Sequence, residues 1–558
     1  MTTTDPDAAA GQVIPSTPTQ SEPGAAGVFT HRQILVILSG LMSGMLLAAL
    51  DMTIVSTSIR TIADDLNGLS LQAWATTAYL ITSTIATPLY GKLSDLYGRR
   101  PFFITAISVF VAGSLLSGFA TSMYQLAAFR AVQGIGAGGL FSLALAIIGD
   151  IVPPRERARY QGYMLAVFGS ASVLGPLVGG FFAGQSSLLG ITGWRWVFLI
   201  NVPIGALALV LVARVLHLPH TRRDHAIDWP GAVALSICLV PLLLVAEQGR
   251  TWGWLSGGAI ACYAVGAVGF VLFLLSERHY GDDALLPLRL FTGRTFAIGS
   301  LMNLFIGMGM FGGMAALPLY LQIVRGHTPT ESGLLMLPLT AGVMSGSVLS
   351  GQFIARTGRY KIFPVMGCML LVTGMLLFSL VHLDTSIWAV AGISVVFGLG
   401  LGFNMQTLVL AIQNAVPPQD MGVATGSATF FRQMGGTLGT AVFLSVLFST
   451  VGGNIKDAIG STVKANPSLA PDFAKLQGAS LDDSSFINKL SDQLAAPFKK
   501  GFTDSIDLVF TLGAAVLVVA LITVFFLPEE PLRTKSGLAA REDAARENEA
   551  AAQRGATS

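Results

Sequence analysis

Fourteen runs of about twenty apolar residues fill most of this chain, more than a water-soluble fold can bury. A bilayer core of about 30 Å is crossed by about 20 apolar residues of helix. Such runs lie near 33–57, 71–91, 101–121, 123–151, 160–186, 195–217 and 229–248. A second set lies near 254–277, 295–324, 331–355, 361–382, 386–414, 421–450 and 503–527. The pattern predicts an all-α membrane protein with fourteen transmembrane helices. Composition points the same way: 52% of residues are hydrophobic and 11% charged, against about 25% charged in soluble domains. The net charge of +2 leaves no nucleic-acid footprint. Cys238, Cys262 and Cys368 lie far apart inside apolar runs. They read as small buried hydrophobes, not as a disulfide frame or metal site.

An even number of spans puts both termini on one side, and basic residues choose the side. With the N-terminus inside, the inner loops hold Lys92, Arg99, Arg100, Arg155, Arg157, Arg159, Arg214, Arg222, Arg223, Arg278, Arg289, Arg294, Arg356, Arg359 and Lys361. The short outer loops hold Arg60, Arg195, Arg250 and Arg325. Both termini are therefore expected in the cytoplasm, with the chain in the cytoplasmic (inner) membrane. Residues 1–31, rich in Thr, Pro, Ala and Gly, are expected to be a disordered N-terminal tail rather than a signal peptide. Residues 533–558 read as a solvated C-terminal tail. The segment 451–502 carries six lysines yet falls outside. Its length approaches that at which the charge rule weakens, and short amphipathic helices capping the outer face are expected there.

The chain repeats itself. Gly91-Lys-Leu-Ser-Asp-Leu-Tyr-Gly98-Arg99 returns as Gly351-Gln-Phe-Ile-Ala-Arg-Thr-Gly358-Arg359. Val152-Pro-Pro followed by Gly162 returns as Val416-Pro-Pro followed by Gly426, and Gly134, Gly136 and Gly138 are echoed by Gly398, Gly400 and Gly402. Tight turns or close helix packing account for each glycine alone, but not for a register kept across three motifs. Parallel six-helix halves related by an axis along the membrane normal are the architecture of major facilitator transporters, with the substrate site between the halves. The expected units are a six-helix bundle over 32–217, two inserted helices with their flanking loops over 218–294, and a second six-helix bundle over 295–532.

Several motifs resemble one family, the fourteen-spanner drug:proton antiporter branch of the major facilitator superfamily, the EmrB and QacA type. Gly91-Lys-Leu-Ser-Asp95-Leu-Tyr-Gly98-Arg99-Arg100 is similar to the superfamily's loop motif between helices 2 and 3. Arg130-Ala-Val-Gln133-Gly134-Ile-Gly136-Ala-Gly138 resembles its helix 4 motif, and Gly175-Pro176-Leu-Val-Gly179-Gly180 the antiporter signature of helix 5. Leu50-Asp51-Met-Thr53-Ile-Val55, Trp194-Arg195-Trp196-Val-Phe-Leu-Ile-Asn201-Val-Pro203 and Phe431-Arg432-Gln433-Met-Gly435-Gly436 resemble motifs of the branch. Some exporters of the branch carry further carboxylates in later helices that favour dicationic substrates; here helices 10 and 13 carry none.

Asp51 is the main candidate for chemistry. A carboxylate inside a span costs about 2.5–3.5 kcal/mol on insertion scales and commonly marks a proton or ion path. It is read either as a site that exchanges a proton for a cationic substrate, or as an aspartate that packs helix 1. At 1.5 Å per residue, Asp51 and Arg130 lie at comparable depth, roughly 9–14 Å below the outer surface, within reach of each other directly or through water. The repeat puts Ser394 where Arg130 stands in the first half, and that asymmetry suggests a task; a structural ion pair is the other reading. Arg99 and Arg100 also serve topology. The resemblance implies that Gly91, Asp95, Gly98, Arg99 and Arg100 latch the halves, with Asp95 pairing to a neighbouring helix. It also implies that Gly175, Pro176, Gly179 and Gly180 keep the cavity from leaking protons. Glu247, Asp507 and Asp150 read as solvated helix ends. Arg432 is read three ways: for lipid phosphates, for packing or for substrate anions. Met45, Met52, Met308, Met310, Met314 and Met405 are candidates for an adaptable lining.

No HExxH, GxSxG or GxxxxGK[ST] pattern occurs, so neither an enzyme nor a nucleotide-driven pump has a recognisable site. The resemblance implies a proton-coupled antiporter that exports amphipathic small molecules, as in multidrug efflux. A dedicated exporter of one endogenous metabolite, lipid or antibiotic is the alternative, and a receptor or scaffold ranks last. No cofactor is expected beyond the proton gradient; the partners are small organic molecules, protons and lipid, and the chain is expected to work as a monomer.

Overall fold

The computed structural model describes residues 29–66, 71–218, 227–327, 329–475, 487 and 490–540. Fourteen long helices organise them: α1 (His31–Asp65), α2 (Gln72–Tyr97), α3 (Arg99–Gly118), α4 (Met123–Ile151), α5 (Pro154–Ala183) and α6 (Gly193–Val215) form one half. Between α5 and α6, strands β1 (Ser187–Leu188) and β2 (Ile191–Thr192) make a small antiparallel hairpin. Then come α7 (Trp229–Trp252) and α8 (Gly257–Tyr280). The other half is α9 (Arg294–Leu319), α10 (Leu337–Thr357), α11 (Ile362–Phe378), α12 (Ile387–Ala415), α13 (Met421–Ala465) and α14 (Asp492–Phe525). The end of the bundle from which α1 starts is termed inner, and the opposite end outer.

The helices begin and end where local chemistry directs. Thr30 and Gln33 form a reciprocal cap at the start of α1, satisfying amide groups that have no partner within the helix. Gly98 separates α2 from α3 at φ +99°, a conformation that side chains disfavour; Gly358, in the repeated motif, ends α10 at φ +71°. Serines 122 and 256 cap α4 and α8.

Packing repeats as the sequence repeat requires. α2 lies against α4 as α10 lies against α12, and α1 against α5 as α9 lies against α13. The halves meet along two equivalent seams, α2 with α13 and α5 with α10. The inserted α7 and α8 pack on each other, and α7 leans on α2 and α13.

Twelve helices among the described residues are long and apolar enough to cross a membrane by themselves. α2 and α11 are the two labelled helices outside that set. α2 is rich in threonine and serine, and Thr82, Thr84 and Thr87 bond back to its own carbonyls. α11 is apolar but has 17 residues.

Three expectations change. The outer segment is not a loop of short helices from 451 onward: α13 runs unbroken for 45 residues to Ala465, and α14 already starts at Asp492. Ile455, Phe498 and Phe502 share one buried cluster where these two extensions meet. Among the described residues of this segment, Pro467–Leu469 and Ala470–Lys475 are short helical pieces. Second, the C-terminal tail is docked, not solvated, over 533–540. Asn414 donates to the Pro531 carbonyl and accepts from the Arg533 amide. Ser536 and Leu538 are buried, Leu538 in the core of the first half. Third, α1 begins at His31. Residues 1–28 of the expected N-terminal tail and 541–558 of the C-terminal tail lie outside the described residues.

Candidate functional site

Asp51 sits on the inward face of α1, fully buried. Small residues on α4 bring its partners close: a methyl at Gly134 would overlap the Tyr79 carbonyl, and one at Gly136 the Phe110 amide. α4 therefore lies backbone to backbone on α2 and α3, as small-residue stripes permit in a membrane. This sets Arg130 beside Asp51, with Nη1 2.6 Å from Oδ2. Gln133 Nε2 donates to Asp51 Oδ1 at 2.9 Å, and Asn201 Nδ2 of α6 donates to the same oxygen at 2.8 Å.

The rest of the cluster holds these donors in place. Arg130 Nη1 also donates to Gln133 Oε1 at 2.8 Å, and its guanidinium lies 4.1 Å from the centre of the Tyr79 ring, a cation–π contact. Asn201 also reaches Ser114 Oγ, which donates to the Phe198 carbonyl. Arg130, Gln133, Asn201 and Tyr79 are all buried. The cluster is charge-neutral and belongs wholly to the first half. Ser394, at the equivalent place in the second half, only bonds its own helix at Val390. Asp51 itself has 0% exposure, and three protein donors occupy its two oxygens.

The loop-motif residues divide. Asp95 accepts from the backbone amides of Gly422 and Val423 at 3.1 and 2.9 Å, so a carboxylate of α2 caps the N-terminus of α13 across the seam. Arg99 pairs with Asp95 at 2.6 Å and Asp150 at 2.7 Å. At Gly91 a methyl would lie 2.6 Å from the Gly422 carbonyl, so glycine permits this approach. Arg100 is not part of the cross-seam contact; it donates to the Ala213 carbonyl of α6, inside its own half. Asp150 is not a solvated end but a buried partner of Arg99. Asp507 is partly exposed near His382, and the Glu247 side chain lies outside the described set.

The helix 5 motif also divides. A methyl at Gly175 would overlap the Thr53 hydroxyl, and one at Gly179 the Thr57 hydroxyl. Thr53 donates to the Ala171 carbonyl, and Ser58 to that of Gly179. These contacts clamp α5 to α1 next to Asp51. Gly180 has nothing within 4 Å. Pro176 stays inside an unbroken α5.

Further residues close the inner end. Arg157 donates to Gln413 Oε1 across the seam at 2.8 Å and to the carbonyls of Gly149 and Val152. Gln413 donates to Thr425 and the Leu145 carbonyl. Lys92 reaches the Asp282 carbonyl after α8, and Arg289 pairs with Asp282 and Asp420. The linker after the inserted helices thus bridges the seam. Gln133 and Asn201 belong to the helix 4 motif and the Trp194–Pro203 motif, but no spacing rule along one helix tells which helix they will face.

The architecture and sequence together identify the class. The chain belongs to the Major Facilitator Superfamily, whose family model matches residues 41–440; it is a membrane transporter and not an enzyme. It is 33% identical to the multidrug transporter protein MdtP of Bacillus subtilis over 516 residues, covering 90% of this chain and 94% of that protein. It is 33% identical to multidrug resistance protein 3 of the same organism over 502 residues, covering 89% and 96%. The fold is shared with the proton:xylose symporter XylE at a TM-score of 0.58, with 16% identity over 92% of this chain and 99% of that one.

Proposed function

We propose that this protein is a proton-coupled antiporter of the fourteen-spanner drug-exporting branch, moving amphipathic small molecules out across the cytoplasmic membrane. α2 and α11 complete the fourteen crossings: α2 buries its hydroxyls against α4 and α13, and 17 residues of α11 span about 25 Å. The excess of arginine in the inner loops supports a cytoplasmic inner end, with both termini on that side. The names of the two Bacillus relatives support efflux of several compounds rather than one.

The observation that carries the reading is the sealed Asp51–Arg130 pair. A carboxylate and a guanidinium at 2.6 Å among helices satisfy each other while both are charged. Protonation removes the anion and leaves Arg130 without its counter-charge, so the cluster has two states that differ in one proton. The Tyr79 hydroxyl and Asn201 Oδ1 make no hydrogen bond among the described residues, leaving polar capacity beside the carboxylate for a proton-carrying water. The clamp of α5 onto α1 at Thr53, two residues on, links that change to the helix lying on the α5–α10 seam. Inner cross-seam bonds at Asp95, Arg157 and Gln413 make this the state with its cytoplasmic gate shut. Substrate then occupies the gap between the halves, and a rocking motion carries it outward.

The test is uptake into inverted vesicles driven by an imposed pH gradient, over a panel of amphipathic compounds. Uptake should collapse with a protonophore even when ATP is present. Uphill transport by the purified protein without any proton flux refutes the proposal.

A further inference from the structure

The inserted pair α7 and α8 has no counterpart in the repeat, and its contacts with the two halves are unequal. Toward the second half they run from the outer end to the inner. Trp254 Nε1, in the turn between α7 and α8, donates to Ser445 Oγ of α13 at 3.1 Å. Leu235, Leu239 and Leu243 of α7 share one buried cluster with Ala428 and Phe430 of α13. The linker to α9 is held as well. Phe291 meets Phe296 of α9 and Phe431 of α13 edge to face, with ring centroids 4.9 and 6.1 Å apart. Arg289 pairs with Asp420, just before α13, at 2.9 Å.

Toward the first half, α7 leans on α2. Ile81, Ile85 and Leu89 of α2 join the same apolar cluster. Their spacing of four residues puts them on one face of α2, and Lys92, three residues on, continues that face. Gly91 and Asp95, which meet α13, stand on the neighbouring face. Apolar contact is non-directional, so this aliphatic track fixes no position of α7 along α2. Among the described residues, one polar bond joins the first half to the inserted unit: Lys92 Nζ donates to the Asp282 carbonyl of the linker at 2.9 Å.

That bond can break without stranding a charge. Lys92 is buried, but it lines a cavity of about 290 Å³ together with Asp95, Asp282, Arg289 and Asp420. A buried ammonium without a partner is costly; here water and carboxylates stand beside it.

We propose that Lys92 is a positioning residue of the transport cycle. α7, α8 and the linker move as one body with the second half, and the Lys92–Asp282 bond latches that body to the first half while the inner end is closed. The inference deepens the exporter reading and rests on it for the rocking of the halves. A unit tied to one half from end to end and to the other by a single bond travels with the former. It slides along Ile81, Ile85 and Leu89 once Lys92 lets go.

The test uses the purified full-length protein in detergent, in a background without Cys238, Cys262 and Cys368. Spin labels go on three exposed outer positions: Tyr124→Cys of α4, Leu255→Cys of the α7–α8 turn and Trp388→Cys of α12. Pulsed electron resonance reads the three distances while Asp95→Asn, or a change from mildly alkaline to acidic pH, shifts the halves. The distance from the turn label to the α12 label should hold, while both distances from the α4 label change together. A turn label that keeps its distance to α4 and changes its distance to α12 overturns the assignment.

A second arm reads the latch by maleimide labelling of Met421→Cys from the cytoplasmic side. Lys92→Gln should speed labelling about tenfold, the range of one charge-assisted hydrogen bond, and Lys92→Arg should stay near the parent rate. An unchanged rate in Lys92→Gln, or equal acceleration by both variants, overturns the latch. If Lys92→Gln does not fold, the three distances, which need no change at Lys92, decide; if the halves do not shift, the labelling rates decide. Neither arm uses a gradient or a substrate. Success in both without pH-driven uptake leaves the unit standing and refutes the antiporter, and pH-driven uptake with a turn label that follows α4 does the reverse.

Discussion

Around Asp51 each donor has a separate job. Arg130 balances the charge, while Gln133 and Asn201 fill the second oxygen, which would otherwise be buried and short of partners. Breaking a buried ion pair from one side typically costs about 3–5 kcal/mol, because the remaining charge stays behind unpaired. Asp51→Asn should therefore abolish pH-driven uptake and lower the melting temperature. Adding Arg130→Gln should restore part of the stability and none of the uptake. A double-mutant cycle by thermal melting, beside vesicle transport, checks both. Asn201→Ala removes a neutral donor and should cost about 1–3 kcal/mol, with transport slowed but still proton-driven.

Between helices, glycine positions separate cleanly by what they touch. Gly175→Ala drives a methyl into Thr53, and such overpacking costs about 1–3 kcal/mol. The variant should melt earlier and transport poorly. Gly180→Ala should behave as wild type in both assays, because nothing lies within 4 Å of the added methyl. On the other seam, Asp95→Asn weakens a charge at the N-terminus of α13, an effect of about 0.3–2 kcal/mol. It also removes one of the two anions of Arg99. The expected outcome is fewer disulfide cross-links between cysteines placed on α2 and α13 at the inner end, with membrane insertion unchanged.

For the whole molecule, the docked C-terminal strap makes the inner gate more than a two-helix affair. Glu529 accepts from the amides of Tyr360 and Lys361, Glu530 accepts from Thr295, and Leu538 enters the core of the opposite half. The strap therefore begins on one half and ends on the other, over Asp150 and Arg157. Removing residues 532–558 gives up the burial of Leu538, worth about 1.5–3 kcal/mol, only in the inward-closed state. Maleimide labelling of Met421→Cys from the cytoplasmic side, in a background without Cys238, Cys262 and Cys368, should become faster on truncation. Unchanged labelling would mean that the strap does not hold the gate.

The chain's own pattern settled the class of fold, because apolar run length and repeated glycine register are local quantities that lipid thickness and helix geometry read directly. Asp51 and Arg130 were legible for the same reason: a charge in a span stands out, and depth follows from residue count. Gln133 and Asn201 were not legible as its partners, since which helices face each other depends on packing between distant segments. The split of Arg100 from Arg99, the burial of Asp150, the extension of α13 to Ala465 and the docking of Leu538 likewise came only from tertiary structure. Each turns on whether a polar or short apolar segment finds a partner in another half of the molecule. Hydropathy along one strand of sequence contains no term for that encounter.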